Sequence, residues 1–334
     1  MADKFRVTDE NQADPFDMDR EPFASGPYLE ERHRQRKLYP DLRRLGLQTH
    51  IADLAMQGYT VLPPHMMVDA PYLEQLRAAV LRVATERSGV TPDLSTGATH
   101  ANGGHPLGQF MRYILFEDEV FEPLLTHPRL LGLVNYLIGE RCILSLYDAM
   151  LKGPGKMALP VHNDHGDKHT ATYPALSNGV TVNFTLSDYD EGAGPVAFLP
   201  GSHNFKREPL PAELKSLASE MVPITAPAGS AIIWSADTWH MAMPRRDPGL
   251  RMTLLLHFCR SHLQPQANFR GVAPHILERN PPRFTQLMDV HGVFPFGVED
   301  IDRQKAGRAG RKYSVFDGHS HWQTQFSALA EHDE

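Results

Sequence analysis

Residues 159–165 (LPVHNDH) carry two side chains that could bind a metal ion together. His162 and Asp164 are separated by one residue. On a β-strand, residues i and i+2 point to the same side, so the imidazole and the carboxylate would converge while Asn163 turns aside. A second imidazole from a distant strand would complete a 2-His-1-carboxylate set, which binds Fe(II) and leaves coordination positions open for chemistry.

The later sequence offers a candidate third ligand and a cation. His240 follows a strand-like run and a polar turn, and Arg251 comes eleven residues after it. Arg251, Thr253, Leu255 and His257 alternate along a further strand and would share one face. Arginine suits a carboxylate because its guanidinium forms two parallel hydrogen bonds. A metal with open positions beside such an arginine is the arrangement that a chelating keto acid requires.

Two alternatives compete with this ligand set. His165 and Asp167 form a second pair with the same spacing. The first pair is favoured because a strand-like run precedes it, whereas Gly166 is typical of a strand exit. His257 could serve as the distal ligand, but Arg251 would then precede it instead of following it.

Composition and charge exclude several classes of protein. The chain has 334 residues with 33 Lys and Arg and 40 Asp and Glu, so its formal charge of −7 argues against nucleic-acid binding through bulk positive charge. There are 18 histidines but only two cysteines, Cys142 and Cys259, which excludes a disulfide framework and a cysteine-rich zinc module. We find no signal peptide and no apolar run of membrane-spanning length, and expect a soluble, cytoplasmic protein.

The first part of the chain predicts one strand and two helices. Residues 58–62 (GYTVL) are typical of a short strand. A helix should follow Asp69, which is a plausible N-cap, and a second helix should cover Pro128 to Ile138 and end at Gly139.

Short apolar runs separated by turns dominate after Arg141. In VTVNFTL, residues Val180, Val182, Phe184 and Leu186 share one face, and Thr181, Asn183 and Thr185 share the other. The remaining strand candidates are CILSLYDAML, ALPVH, PVAFLP, SAIIW and MTLLLHF. Several short strands without intervening helices favour an antiparallel barrel or sandwich such as a jelly roll.

This pattern predicts an α+β protein with a mainly β core. Residues 1–45 would form an N-terminal arm, partly disordered, and residues 46–334 a single domain. Within that domain we expect helical support at 46–140, a jelly-roll core at 141–262 and a C-terminal wrap at 263–334.

Several motifs together resemble the phytanoyl-CoA dioxygenase family of Fe(II)- and 2-oxoglutarate-dependent oxygenases. They are VHNDH, GPVAFLPGSH and the spacing from His240 to Arg251, supported by GYTVL, HPRLLGLVNYLIG and LKGPG. The resemblance covers roughly residues 58–260, with the motifs in the order found in the family. It implies a double-stranded β-helix, a cupin-like jelly roll, with N-terminal helices packed outside.

The same resemblance implies roles for particular residues. His162, Asp164 and His240 would hold the iron, and Arg251 would clamp 2-oxoglutarate. The strand pattern of the family suggests further contacts to co-substrate or substrate, for which purely structural roles are the alternative. These residues are Tyr147, Lys152, Asn183 and Trp239.

The implied reaction uses Fe(II), 2-oxoglutarate and dioxygen to hydroxylate or otherwise oxidise an unactivated C–H bond, releasing succinate and carbon dioxide. Small metabolites, including secondary metabolites, are the expected substrates, without a nucleic-acid or membrane partner. The carboxylate of Asp164 argues against halogenation, because halogenating relatives have a small residue there. Two alternatives are a non-catalytic jelly-roll module that binds a small ligand and a zinc hydrolase on the same His/Asp/His site.

Overall fold

The computed structural model describes residues 38–101, 105, 107–165, 173–217 and 219–290. Much of the predicted N-terminal arm and of the predicted C-terminal wrap lies outside these described residues, as does Asp167 of the alternative ligand pair. Residues 38–44 are helical.

Helices dominate the first part of the described chain. The long helix begins after Asp69, as predicted, because the Asp69 carboxylate accepts a hydrogen bond of 2.9 Å from the Tyr72 backbone N–H. It ends at Gly89, which adopts the left-handed conformation that favours glycine. The helices here are α1 (Gln48–Gln57), α2 (Pro64–Met67), α3 (Ala70–Ser88), α4 (Glu122–Leu125) and α5 (Pro128–Ile138). The predicted second helix is therefore confirmed as α5.

A six-stranded antiparallel sheet, the major sheet, forms the centre of the molecule. Its strand order is β1-β8-β5-β10-β3-β2. The strands are β1 (Tyr59–Leu62), β2 (Gln109–Met111), β3 (Ile143–Lys152), β5 (Gly179–Thr185), β8 (Ala231–Ser235) and β10 (Arg251–Cys259). Neighbouring strands in this sheet are distant from one another in sequence, so side chains far apart along the chain become cross-strand pairs.

A four-stranded antiparallel sheet, the minor sheet, has the order β4-β9-β6-β7. It consists of β4 (Leu159–His162), β6 (Val196–Phe198), β7 (Val222–Pro223) and β9 (His240–Ala242). Short helices complete the fold, namely α6 (Leu214–Leu217), α7 (Pro274–Arg279) and α8 (Pro282–Leu287).

The two faces of the major sheet differ as the alternation in β5 predicted. Val180, Val182 and Phe184 are fully buried in one large apolar cluster that also contains side chains of α3 and α5. We call this side the helix-facing side. Removing each such apolar side chain from water contributes about 1.5–3 kcal/mol. The opposite, interior side carries Thr181 and Asn183 and faces the minor sheet.

Aromatic contacts join the two sheets across the interior. The Tyr59 ring of β1 stacks on the Phe198 ring of β6 with centroids 4.4 Å apart, and Trp234 of β8 meets Phe198 at 5.3 Å. Two antiparallel sheets packed in this way form the expected jelly roll with N-terminal helices outside.

Among the described residues, no helix combines the length and the apolar character needed to cross a membrane.

Candidate metal centre and anion pocket

Three predicted ligands converge at one end of the interior. His162, Asp164 and His240 offer ligand atoms that all lie within 4.8 Å of one another. Asp164 Oδ1 is 3.9 Å from His162 Nε2, and Asp164 Oδ2 is 3.6 Å from His240 Nε2. Two ligand bonds of about 2.1 Å allow donor atoms up to about 4.2 Å apart on one ion, so Asp164 Oδ1 and His162 Nε2 can share a metal.

Strands β4 and β9 position the two histidines as predicted, but the position of Asp164 differs from the prediction. His162 ends β4 and lies opposite His240 at the start of β9. Asp164 was expected on the same strand as His162, but β4 ends before it. The Asp164 backbone N–H instead donates to the Ala236 carbonyl at 2.9 Å, and this hydrogen bond fixes the carboxylate beside the imidazoles.

Backbone carbonyls orient both imidazoles. Nδ1 of His162 lies 2.7 Å from the Pro160 carbonyl, and Nδ1 of His240 lies 3.0 Å from the Thr238 carbonyl. A carbonyl only accepts, so each Nδ1 carries the proton and each Nε2 keeps its lone pair for a metal.

The surroundings of the cluster favour a neutral His240 and an ionised Asp164. Burial lowers the pKa of His240 to about 4, although Asp164 opposes this change, so His240 is neutral at pH 7. Burial raises the pKa of Asp164, but the nearby His240 and His162 and the hydrogen bond from Thr181 outweigh it and hold the value at about 2. The His162 side chain remains 30% exposed, so ligands can reach the cluster from that side.

A second group of polar residues, which we call the anion pocket, consists of Arg251, Lys152 and Tyr189. Arg251 and Lys152 are cross-strand partners on β10 and β3 and are 2% and 3% exposed. The Arg251 guanidinium lies over the Tyr189 ring, 5.2 Å from its centroid. Arg251 donates to the Gly194 carbonyl, and Lys152 Nζ donates to the Met243 carbonyl at 2.9 Å.

The anion pocket lacks a counter-charge among the described residues. Neither Arg251 nor Lys152 forms an ion pair there, and Arg251 Nε has no hydrogen-bond partner. Burial, followed by the positive charge of Arg251, lowers the pKa of Lys152 to about 7. Two adjacent buried cations without an anion are unfavourable, so this pocket suits a negatively charged ligand.

Asn183 lies on the interior side between the two groups. Its Nδ2 donates to Tyr189 Oη at 3.2 Å, and Tyr189 Oη lies 2.6 Å from Thr253 Oγ1. The Asn183 Oδ1 is buried and has no partner among the described residues. The side chain therefore has a free acceptor inside the jelly roll.

Two of the loosely predicted residues face away from the site. Tyr147 lies on the helix-facing side, where its hydroxyl donates to the Phe121 carbonyl at 3.1 Å. Trp239 packs with Val161 and Leu217 on the side of the minor sheet opposite His240, and its indole donates to the Arg207 carbonyl at 2.9 Å. The structure therefore does not bring either ring to the metal cluster.

Three residues that the sequence did not assign support the carboxylate of Asp164. Thr181 Oγ1 and Trp234 Nε1 lie 2.7 and 3.0 Å from Asp164 Oδ2, and His257 Nδ1 lies 2.8 Å from Thr181 Oγ1. His257 therefore lies behind Asp164, outside the three-ligand cluster. The alternation of β5 and β10 indicated that Thr181 and His257 face the interior, but no motif linked them to Asp164.

Comparisons with known proteins show similarity in sequence and in fold. The sequence model of the family described as "Phytanoyl-CoA dioxygenase (PhyH)" matches residues 54–253. "Uncharacterized protein Rv1501" of Mycobacterium tuberculosis is 23% identical over 183 residues, which are 53% of this chain and 66% of that protein. The match thus covers just under two thirds of the relative.

Solved structures share the fold. HygX from Streptomyces hygroscopicus, crystallised with nickel and 2-oxoglutarate, has a TM-score of 0.51 and 16% identity over 65% of this chain and 88% of its own. SnoK, a non-heme alpha ketoglutarate dependent carbocyclase from nogalamycin biosynthesis, has a TM-score of 0.51 and 18% identity over 70% of this chain and 91% of its own. With more than half of its length matched by the family's sequence model, the chain belongs to the phytanoyl-CoA dioxygenase family.

Proposed function

We propose that this protein is an Fe(II)- and 2-oxoglutarate-dependent dioxygenase. It would hydroxylate or otherwise oxidise an unactivated C–H bond of a small-molecule metabolite and release succinate and carbon dioxide. The observation that carries this proposal is the His162–Asp164–His240 cluster together with the buried Arg251, which forms no ion pair with the other described residues, in the same jelly roll.

The ligand set fits ferrous iron. Two imidazoles and one carboxylate give His162, Asp164 and His240 the composition of the facial triad that holds non-heme Fe(II) with open positions. Iron with 2-oxoglutarate and dioxygen would supply the oxidant for the C–H bond. The protein's own contribution is to hold the metal, orient the co-substrate and limit the access of water.

Arg251 is proposed to clamp the far carboxylate of 2-oxoglutarate, and Lys152 to provide a second positive charge beside it. Both are buried, and an anion between them would relieve their mutual repulsion. Asn183 would accept a hydrogen bond from a bound group through Oδ1, which has no partner among the described residues. We assign no co-substrate contact to Tyr147 or Trp239, which face away.

The names of the structural neighbours support a small-molecule co-substrate and several oxidation outcomes. HygX was crystallised with 2-oxoglutarate, and SnoK is described as a carbocyclase. Ring closure therefore stands beside hydroxylation and desaturation as an outcome for this chain. As a metal ligand, the carboxylate of Asp164 would occupy the position that a halogenating enzyme leaves to chloride.

The zinc alternative is less well supported. Two histidines and an aspartate also suit Zn(II). A hydrolase built on this cluster has no evident use for two buried cations, Arg251 and Lys152, in the same interior. Stimulation of a hydrolytic activity by Zn(II) would favour that alternative.

The first test is the anaerobic addition of Fe(II) and 2-oxoglutarate. We expect a visible charge-transfer absorption band, followed after admission of air by succinate formation with members of a metabolite panel. Asp164→Ala should remove the band because it removes the only anionic ligand of the cluster. Asp41→Ala is the matched control, since Asp41 is an exposed partner of Arg44.

The absence of both the band and succinate in the unaltered protein contradicts the proposal. A band without succinate for any tested metabolite would favour the non-catalytic binding module.

A further inference from the structure

The second oxygen of Asp164 is held by two donors. Thr181 Oγ1 lies 2.7 Å and Trp234 Nε1 lies 3.0 Å from Asp164 Oδ2. The indole N–H can only donate, so this bond has one possible direction. Among the described residues, Oδ1 of Asp164 accepts no hydrogen bond, so it remains available as a metal ligand.

The two donors belong to a cross-strand row on the interior side of the major sheet. Thr181 of β5 pairs directly with Trp234 of β8 on one side and with His257 of β10 on the other. Side chains that are direct cross-strand partners share one face and lie close together. We call Trp234, Thr181 and His257 the carboxylate brace.

The directions of the hydrogen bonds follow from the chemistry of the groups. An ionised carboxylate only accepts, so Thr181 must use its single hydroxyl proton for Asp164. His257 Nδ1, 2.8 Å from the same hydroxyl, must then donate to it. Burial lowers the pKa of His257, so the ring is neutral and carries its proton on Nδ1. His257 thereby fixes the rotation of the Thr181 hydroxyl.

We propose that the carboxylate brace restricts Asp164 to a single-oxygen contact with the metal through Oδ1. This inference rests on metal binding at the cluster, which is part of the proposed function. A carboxylate free to turn could place both oxygens on the ion and occupy a position that the keto acid needs. Trp234, Thr181 and His257 are thus positioning residues, which act through Asp164 and not on the substrate.

Packing makes the brace rigid. Thr181 and Trp234 are 3% and 2% exposed, and the Trp234 ring also contacts the His240 ring with centroids 5.0 Å apart. One side chain of the brace therefore fixes the carboxylate and limits the movement of a neighbouring imidazole.

The test measures Co(II) binding without co-substrate or substrate. Thr181→Val keeps the shape of the side chain and removes the donor, and we expect it to weaken Co(II) binding about tenfold. The visible Co(II) spectrum should also change, because the carboxylate contact changes. Thr181→Ser should restore the affinity and the spectrum, which a purely structural role of the methyl group would not predict.

Thr185→Val is the matched control. Thr185 lies on the same strand and the same face and is also fully buried, but its hydroxyl donates to the Pro227 carbonyl. We expect it to keep the Co(II) affinity and spectrum of the unaltered protein.

A second variant keeps the inference testable if Thr181→Val does not fold. Trp234→Phe removes the other donor, and we expect a severalfold loss of Co(II) affinity with a changed spectrum. Trp239→Phe is its control, because that indole bonds the Arg207 carbonyl. Unaltered Co(II) affinity and spectrum in the folded brace variants overturn the inference. Failure of the unaltered protein to bind Co(II) overturns the metal cluster itself, and with it the proposed function.

Discussion

The two ends of the interior face of β10 are built in opposite ways. At one end, His257 belongs to a chain of hydrogen bonds that passes through Thr181 to Asp164. At the other end, Arg251 lies beside Lys152 and has a buried Nε without a partner among the described residues. At the His257 end, these side chains are hydrogen-bonded to one another. At the Arg251 end, no described residue neutralises the positive charge.

This difference indicates what each end lacks. Buried polar groups are tolerated when they are paired, and an uncompensated buried charge costs several kcal/mol. The Asp164 end has a carboxylate and two lone pairs directed at one point, which suits a cation. The Arg251 end has two cations, which suits an anion. A metal ion chelated by a dicarboxylic keto acid would complement both ends at once.

The largest effect is expected when the charge of Arg251 is removed. Arg251→Met should weaken the binding of 2-oxoglutarate to the metal-loaded protein about 100-fold, since charge-assisted hydrogen bonds contribute about 1.5–3 kcal/mol each. Isothermal titration with 2-oxoglutarate under anaerobic conditions measures this change. Co(II) affinity should stay the same, because the metal end is built separately.

Arg251→Lys should bind 2-oxoglutarate with an affinity between those of the unaltered protein and Arg251→Met. Lysine keeps the positive charge but loses the geometry that forms two parallel hydrogen bonds. Arg246→Met is the control, since Arg246 is an exposed arginine in the preceding turn. Unchanged 2-oxoglutarate affinity in Arg251→Met would contradict the proposal that the anion pocket binds 2-oxoglutarate.

A smaller effect, with a characteristic pH dependence, is expected for Lys152. Its pKa of about 7 makes it partly neutral in the free protein, and an anion favours its charged form. The affinity for 2-oxoglutarate should therefore rise by up to about tenfold per pH unit as the pH falls towards about 7, and level off below it. Arg251 and Arg245 are further cations near the pocket, and the carboxylates of Asp247 and Asp190 lie near Arg245.

Titrations from pH 6 to pH 8.5 measure this dependence. Lys152→Met should bind 2-oxoglutarate about tenfold more weakly at pH 6 and lose the slope. Lys156→Met replaces an exposed lysine four residues later and should keep the slope. If Lys152→Met retains the slope of the unaltered protein, another group is responsible for it.

Spacing and alternation predicted the parts of the site that lie within single strands. The period of two in β5 placed Thr181 and Asn183 on the interior side, and the same rule placed Arg251 and His257 on one face of β10. These predictions succeeded because a strand with one apolar and one polar face has only one favourable orientation. The pairing of His162 with Asp164 also came from spacing, although Asp164 lies just beyond its strand, whereas His240 was chosen with the help of the family resemblance.

The remaining features could not be read from local sequence. Every residue of β3 is buried, so its sequence does not show which face meets the helices. A contact with co-substrate or substrate was therefore suggested for Tyr147, whose ring lies on the helix-facing side. Trp234 is 70 residues from Asp164, and only the strand order β8-β5-β10 brings it to the carboxylate with Thr181 and His257. Such cross-strand rows depend on sheet topology, which no short motif encodes.

The smallest effect on ligand binding is expected on the helix-facing side of the same sheet. Tyr147→Phe removes the donor to the buried Phe121 carbonyl and should lower the free energy of unfolding by about 1–2 kcal/mol. It should change 2-oxoglutarate affinity less than twofold, because its side chain points away from β10's interior face. Tyr189→Phe removes a hydroxyl bonded to Thr253 and Asn183. In contrast to Tyr147→Phe, it should weaken the binding of 2-oxoglutarate severalfold. Urea unfolding and anaerobic titration of both variants measure the two quantities, and weaker binding in Tyr147→Phe alone would mean that the two faces are not independent.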